Sequence, residues 1–157
     1  MQLFRTLPIA RDVFRVLPER AHGYARDTIT IGWEERLRAR GRRFSDQGLA
    51  FATTLPRGTI LRAGDWLLVD EHQVAIEVVE HAEPVLVVTP KSAVEWGLFG
   101  YLIGNSHQPI MITPDAIVCA DLPGMEQVLT YHNIEFARGH QPFTPVAMNV
   151  DHQHRPR

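Results

Sequence analysis

Three of the chain's eight histidines occupy places where an imidazole could bind a metal ion. His107 follows a Gly-Asn pair and precedes a proline, so we expect it half exposed in a short connection after a helix. His152 and His154 alternate in a polar tail, and a His-x-His pair can chelate a borderline metal. Imidazole suits nickel, copper and zinc alike, so these residues predict a transition-metal site without selecting the metal. An ordinary loop histidine is the alternative interpretation of His107.

An apolar helix leads to His107. Its apolar residues recur at spacings of three, four and seven, the period of a helix with one buried face: Val94, Leu98, Tyr101 and Leu102. Ser92 is placed to cap the helix, which we expect from about residue 93 to 102, and Glu95 would complete a capping box. Gly104 and Asn105 should end it, because both residue types tolerate a left-handed backbone. The helix would therefore present His107 just beyond its C-terminal end.

The segment from Tyr101 to His107 resembles the Tyr-His-Leu-Gly-Asn-Arg-His signature of the UreE urease accessory proteins, a family of nickel metallochaperones. Leu102 replaces the signature's first histidine, and Ser106 replaces its arginine. The positions that match are Tyr101, Gly104, Asn105 and His107. The resemblance extends over most of the chain, since several other stretches are similar to the corresponding family segments: Leu55–Gly58, Gly64–Asp65, Val74–Val79 and the Pro-Phe-Thr-Pro run at 142–145.

This resemblance implies a non-enzymatic role, in which a homodimer binds nickel at its interface and delivers it to the urease activation complex. The family's metal-binding histidine corresponds to His107, and a two-fold axis would bring both copies of His107 face to face. His152 and His154 would then complete the coordination shell, and Zn²⁺ or Cu²⁺ could bind the same site. The implied partners are the urease apoprotein and other urease accessory proteins, with no nucleic acid and no membrane.

The composition describes a globular chain of 157 residues, 45% of them hydrophobic, which is enough for one domain or two small ones. No stretch approaches the roughly 20 apolar residues of a membrane span, and the first residues lack the apolar core of a signal peptide. We therefore expect a cytoplasmic location. The single cysteine, Cys119, excludes an internal disulfide and a multi-cysteine zinc site. Its apolar neighbours indicate a buried strand thiol, with a role as an accessory soft ligand left open.

The charges divide the chain into two different halves. Residues 1–62 hold twelve arginines against six acidic residues, whereas residues 63–157 hold four basic against twelve acidic residues. This asymmetry predicts a basic head and an acidic second domain, whose field would favour a metal dication over an anion. Nucleic-acid binding by the basic half is the rival interpretation, but no recognisable binding motif accompanies the charge.

The order of predicted elements indicates an α+β fold in three parts. We expect a small all-β, partner-binding head domain over residues 1–82 and a ferredoxin-like βαββαβ domain for metal binding and dimerisation over 83–145, with its second helix at about 122–132. A flexible histidine-containing tail would follow over 146–157. In the head, arginines alternate at four positions and would line one face of a strand: Arg36, Arg38, Arg40 and Arg42. That stripe is either a charged edge that discourages aggregation or a docking site for an acidic partner.

Two other function classes stay open at this point. A metal-dependent hydrolase would need a closed ligand set with a general base, yet the sequence contains no His-Glu-x-x-His or comparable cluster. A non-catalytic adaptor with incidental metal binding, or a zinc- or copper-binding protein, is compatible with the departures from the signature at Leu102 and Ser106. His22, His72 and His81 are interpreted as surface histidines, because none has a partner at metal-binding spacing.

Overall fold

The computed structural model describes residues 6–146, and these residues form two compact units divided between Ala82 and Glu83. The first unit is built mainly from short strands, in agreement with the small all-β domain expected in this part of the chain. The second alternates strands with two helices. The α+β fold class expected from the sequence is thereby confirmed. None of the helices among the described residues is long and apolar enough to cross a membrane.

The first unit contains a three-stranded and a four-stranded sheet. In order along the chain its strands are β1 (Ile9–Ala10), β2 (Val13–Phe14), β3 (Ala25–Ile31), β4 (Arg40–Phe44), β5 (Ala50–Thr54), β6 (Trp66–Val69) and β7 (Val74–Glu80). The sheets have the strand orders β1-β5-β4 and β2-β6-β7-β3. A single turn of helix, α1 (Trp33–Arg36), precedes β4. The alternating strands bury one set of apolar side chains between them: Ala10, Ile29, Ile31, Phe51, Leu55, Leu61, Leu67, Val69, Ile76 and Val78.

The arginine stripe predicted for residues 36–42 is wrong in its first half. Arg36 ends α1 and is only 1% exposed, with its guanidinium 3.0 Å from Oε1 of Glu80, and Arg38 lies in the connection after the helix. Only Arg40 and Arg42 share a strand. Charge alternation alone misled the prediction, because α1 ends at Arg36 and β4 begins only at Arg40, so the strand period of two does not extend over all four arginines. Residues 59–61, where a β-branched and apolar run between turn signals predicts a strand, are likewise irregular chain.

A buried arginine next to the exposed pair stabilises this unit. The Arg43 side chain is buried, and its guanidinium donates to Oγ1 of Thr53 at 3.1 Å and to the backbone oxygens of Glu35 at 3.0 Å and Arg38 at 2.6 Å. Burial lowers the pKa of Arg43 from its usual value. The guanidinium therefore ties β4, β5 and the chain after α1 together.

Replacing Arg43 should lower the free energy of unfolding far more than replacing the adjacent Arg42. We expect Arg43→Met to lower the free energy of unfolding by about 3 kcal/mol, because buried acceptors lose a charged donor. Arg42→Met, which alters an exposed side chain, should lower it by no more than about 1 kcal/mol. Urea denaturation followed by circular dichroism measures both values. Equal losses in the two variants would contradict a structural role for Arg43.

The second unit is a four-stranded sheet with two helices. Its elements are β8 (Ala82–Val88), α2 (Ala93–Gly104), β9 (Ile110–Ile112), β10 (Ile117–Ala120), α3 (Met125–Tyr131) and β11 (Ala137–Pro142). The strand order is β11-β8-β10-β9, and β10 runs antiparallel to both β8 and β9. Each helix therefore connects two strands that have a third strand between them. This is the ferredoxin-like βαββαβ arrangement that the sequence predicted.

Both helices pack on one side of this sheet. Alternate residues of β8 and β10 form the core with α2, α3 and the loop after α3: Leu86, Val88, Ile103, Ile117, Cys119, Met125, Leu129 and Ile134. Helix α3 is shorter than the predicted 122–132, because Gly124 has a φ of 95° and sets the first helical residue at Met125. A φ of this sign favours glycine, so the turn is encoded by residue type.

Candidate metal centre

Helix α2 starts at the predicted cap. The Ser92 hydroxyl accepts a hydrogen bond from the Glu95 N–H at 3.2 Å, which satisfies one of the free donors of the first turn. The Glu95 carboxylate accepts from the Lys91 N–H at 2.6 Å, one residue further back than a standard capping box. The start of the helix that leads to His107 is thus fixed by two side chains.

The end of α2 differs from the prediction in its backbone. The helix includes Gly104, and Asn105 stays right-handed with a φ of −65°, so neither residue supplies the expected left-handed stop. Instead His107 itself is left-handed, with a φ of 55°. Its N–H donates to the Gly104 oxygen at 3.1 Å, and the Ser106 hydroxyl donates to the Ile103 oxygen at 2.6 Å. The Ser106 hydroxyl and the His107 N–H therefore satisfy carbonyl oxygens of the last helical turn, and the chain leaves the helical conformation at His107.

The imidazole of His107 stands on an exposed turn. A left-handed conformation costs a residue with a Cβ roughly 1–2 kcal/mol, although histidine is among the residue types enriched there. Strain of this kind tends to cluster at functional positions. The sequence prediction of an exposed His107 after the helix is confirmed, and its left-handed backbone is an addition that no residue pattern indicated.

The outward face of α2 is apolar, which corrects the single buried face expected from the spacing. Val94 is 77% exposed, Leu98 49% and Tyr101 67%. The helix instead packs on the core through Trp96, Phe99, Leu102 and Ile103. Helix α2 thus has one apolar face against the sheet and a second one that no described residue covers.

The chain after β11 returns to the strand that follows His107. Phe143 is fully buried, the Thr144 N–H points at Sδ of Met111 at 3.3 Å, and the Val146 N–H donates to the Ile110 oxygen at 2.7 Å. The last described residue is therefore attached three positions beyond His107. Sequence reasoning missed this attachment, because it uses backbone N–H groups that any residue except proline supplies. His152 and His154 lie outside the described residues.

The other candidate ligands do not assemble into a site. Within residues 6–146, no three side chains of His, Cys, Asp or Glu converge in a way that could hold a metal ion. Cys119 is fully buried in β10, and burial raises the pKa of its thiol to about 11, so it is a core residue rather than a ligand. His22, His72 and His81 are exposed in the first unit, as interpreted from the sequence.

The acidic residues of the second unit are partly engaged in internal ion pairs. The Arg138 guanidinium contacts Asp121 at 2.9 Å and Glu126 at 2.6 Å. The hydrogen bond that the Arg138 guanidinium donates to the Glu126 carboxylate is the main reason why the pKa of Arg138 is raised. These two carboxylates link β11 to the start of α3, so they contribute less to an electrostatic field for cations than the sequence count indicates.

Comparison with known proteins identifies the family. Residues 13–79 match the model of the UreE urease accessory protein N-terminal domain, and residues 83–156 match that of its C-terminal domain. The urease accessory protein UreE of Ralstonia nicotianae is 31% identical over 155 residues, which cover 99% of this chain and 71% of that protein. The UreE of Verminephrobacter eiseniae is 30% identical over 145 residues, covering 90% of this chain and 83% of the relative.

The matched share of other relatives is smaller. The UreE of Burkholderia thailandensis is 30% identical over 128 residues, which cover 82% of this chain and 60% of that protein. The match to the UreE of Streptococcus vestibularis likewise covers 61% of the relative's length. Because both family domains are matched in order along one chain, this protein belongs to the UreE family of urease accessory proteins, whose role is auxiliary to the enzyme and not catalytic.

Proposed function

We propose that this protein is a nickel metallochaperone, which binds Ni²⁺ between two copies of His107 in a homodimer and delivers it to the urease activation complex. The observation that carries the proposal is the position of His107, exposed on a left-handed turn at the end of a helix with an uncovered apolar face. A buried core histidine would not have this exposed position. The metal is cargo, so a site open to solvent suits its release.

A symmetric dimer supplies what one chain lacks. One imidazole is a poor site for a divalent metal, and the described part of one chain offers no set of three ligands. A two-fold axis beside α2 would pair the faces formed by Val94, Leu98 and Tyr101, and burying such side chains stabilises an interface by about 25 cal/mol per Å² of apolar area. Asn105 lies four residues after Tyr101 and so continues this face towards His107. The same axis would therefore bring two imidazoles together.

The tail histidines are within reach of that site. Val146 is hydrogen-bonded to Ile110, and His152 is six positions further along the chain, a span of at most about 22 Å. His107 and Ile110 are three residues apart, at most about 11 Å. We propose that His152 and His154 add ligands to the metal held by His107. Ligands on a tail can leave one at a time, which favours transfer to an acceptor.

Nickel as the cargo follows from the urease connection, since urease is what the family's proteins assist. The donor set itself would also accept Zn²⁺ and would bind Cu²⁺ more tightly, as the stability order of divalent ions requires. The proposed partners are a second copy of this chain, the urease apoprotein and the other urease accessory proteins, which the first unit would engage. The cytoplasmic location expected from the sequence stays a prediction.

Calorimetric nickel titration with simultaneous light scattering tests this function. A tight site with one Ni²⁺ per two chains is expected, together with the mass of a dimer. Nickel binding at one ion per monomer, or no binding above the level of an unrelated protein, would leave a non-catalytic adaptor with incidental metal binding as the better description.

Removing the two tail imidazoles should weaken this site. We expect the His152→Ala, His154→Ala double variant to lose at least about tenfold in nickel affinity, since even outer-shell partners of a metal site contribute that much. The stoichiometry should persist, because both copies of His107 are retained. The matched control replaces His72 and His81, two exposed histidines of the first unit, and should bind nickel like the unmodified protein. An unchanged affinity in the tail variant would remove His152 and His154 from the ligand set.

A further inference from the structure

The outer edge of β4 is open and basic. β4 lies at the end of the β1-β5-β4 sheet, and no described strand pairs with its other side. The backbone contact with β3 comes after the strand, where the Asp46 N–H donates to the Thr28 oxygen at 2.8 Å. From Arg40 to Phe44 the edge is therefore available for pairing. Unpaired strand edges are templates for a further strand unless something opposes it.

Two cationic side chains and one aromatic side chain lie on the same face of β4. Arg40, Arg42 and Phe44 are exposed and alternate with Gly41 and the buried Arg43, so they point to the same side. The Arg42 guanidinium lies 4.9 Å from the centroid of the Phe44 ring. Among residues 6–146, no carboxylate lies within ion-pairing distance of either Arg40 or Arg42. Two cations and one aromatic ring thus form a row without a counter-ion.

The neighbouring strand β5 presents small side chains on this face. In the antiparallel register Arg42 stands opposite Ala52 and Phe44 opposite Ala50, and both alanines are half-buried. Their small side chains leave the arginines and the ring as the tallest groups on this face. A strand added outside β4 would therefore place its own side chains directly beside Arg40, Arg42 and Phe44, at the distance of cross-strand pairs.

We propose that the edge of β4 binds an extended acidic segment of a partner protein, which adds as a strand with alternate carboxylates beside Arg40 and Arg42 and an apolar side chain beside Phe44. Alternate residues of an extended chain recur every ~6.8 Å, the same repeat as that of the two arginines. Backbone pairing supplies affinity, and the side chains supply selection, as in other strand-addition complexes. This inference deepens the partner-binding part of the proposed function and is independent of nickel.

An acidic peptide fits this edge better than a second copy of β4 or a single-stranded nucleic acid would. A second copy of β4 would place arginine beside arginine, and like charges on neighbouring strands destabilise the pairing. A single-stranded nucleic acid would need an aromatic face on which to stack its bases, and one face of the Phe44 ring is already covered by Arg42. An acidic peptide has neither difficulty.

A synthetic decapeptide tests the surface, with glutamate at two alternate positions and valine at the next alternate position, so that one face carries two carboxylates followed by an apolar side chain. We expect fluorescence anisotropy to detect binding of the labelled peptide to the whole protein at low salt. The Arg40→Glu, Arg42→Glu double variant should weaken that binding at least about tenfold, since two attractive cross-strand pairs become repulsive. The matched control, Arg11→Glu with Arg57→Glu, makes the same charge change at two other exposed arginines of this unit and should stay within about twofold of the unmodified protein.

Two altered peptides separate strand addition from plain charge attraction. A peptide N-methylated at every residue cannot donate backbone hydrogen bonds and should bind at least about tenfold more weakly. A peptide in which lysine replaces glutamate should not bind. The proposal is overturned if the control variant loses as much affinity as the β4 variant, if the N-methylated peptide binds equally well, or if a labelled oligothymidine binds β4 more tightly than the peptide does. The nickel affinity of the β4 variant should equal that of the unmodified protein. The peptide assay and the nickel titration therefore test the two proposals independently.

Discussion

Replacing His107 with asparagine is expected to abolish the tight nickel site while leaving the fold intact. In a symmetric dimer one substitution removes two ligands from each metal, and the signature positions that depart from the family, Leu102 and Ser106, offer no substitute imidazole. The loss should exceed about 100-fold in affinity, because first-shell ligands matter more than the outer-shell partners whose loss costs 10–100-fold. Asparagine is chosen because it tolerates the left-handed backbone that residue 107 adopts.

An alanine at position 107 would not separate the loss of a metal ligand from a change in the backbone of the turn. Alanine is not among the residue types enriched at a φ of 55°, whereas histidine and asparagine are, so a loss of binding in the alanine variant could reflect a displaced turn instead of a lost ligand. His140→Asn is the matched control, since His140 is an exposed histidine of the same unit in β11. Nickel calorimetry with circular dichroism checks both variants. A folded His107→Asn protein with undiminished affinity and one metal per dimer would return His107 to an ordinary loop residue.

The position of α2 could be predicted because its signals are local. Ser92 and Glu95 fix its start through hydrogen bonds within four residues, and Pro109 limits its extent. The orientation of the helix could not be predicted in the same way. A period of 3.6 residues identifies an apolar stripe but does not say what covers it, and α2 has two such stripes. The stripe that the spacing selected, with Val94 and Leu98, is the exposed one.

The residues that sequence reasoning misjudged depend on contacts distant in the chain. Arg36 resembles its alternating neighbours by type, yet it is buried because Glu80 lies 44 positions away in sequence and 3.0 Å away in space. The sequence assigned Val146 to the tail, yet its N–H donates a hydrogen bond to the Ile110 oxygen. Neither contact leaves a periodic or compositional signal. The ferredoxin-like order was accessible, in contrast, because each of its elements has its own local pattern.

A charge on the outward face of α2 is expected to separate the dimer and, with it, to remove the nickel site. Leu98 lies between Val94 and Tyr101 on the uncovered face, so Leu98→Glu would place a carboxylate where two copies of the helix meet. An unpaired charge buried in an interface costs several kcal/mol, so the dimer dissociation constant should rise at least about 100-fold. The two His107 side chains would then part, and nickel affinity should fall as far as in His107→Asn.

Glutamate is a good helix former and Leu98 is 49% exposed, so the variant should keep the fold of each unit. Val16→Glu is the matched control, because it makes the same kind of substitution at a residue of the first unit that is 79% exposed. Light scattering over a concentration series, with and without nickel, measures dimerisation in both variants, and calorimetry measures the metal. If Leu98→Glu stays dimeric with full nickel affinity, the interface lies elsewhere. If it becomes monomeric yet binds nickel as tightly as before, His107 does not need its second copy, and the shared site is refuted.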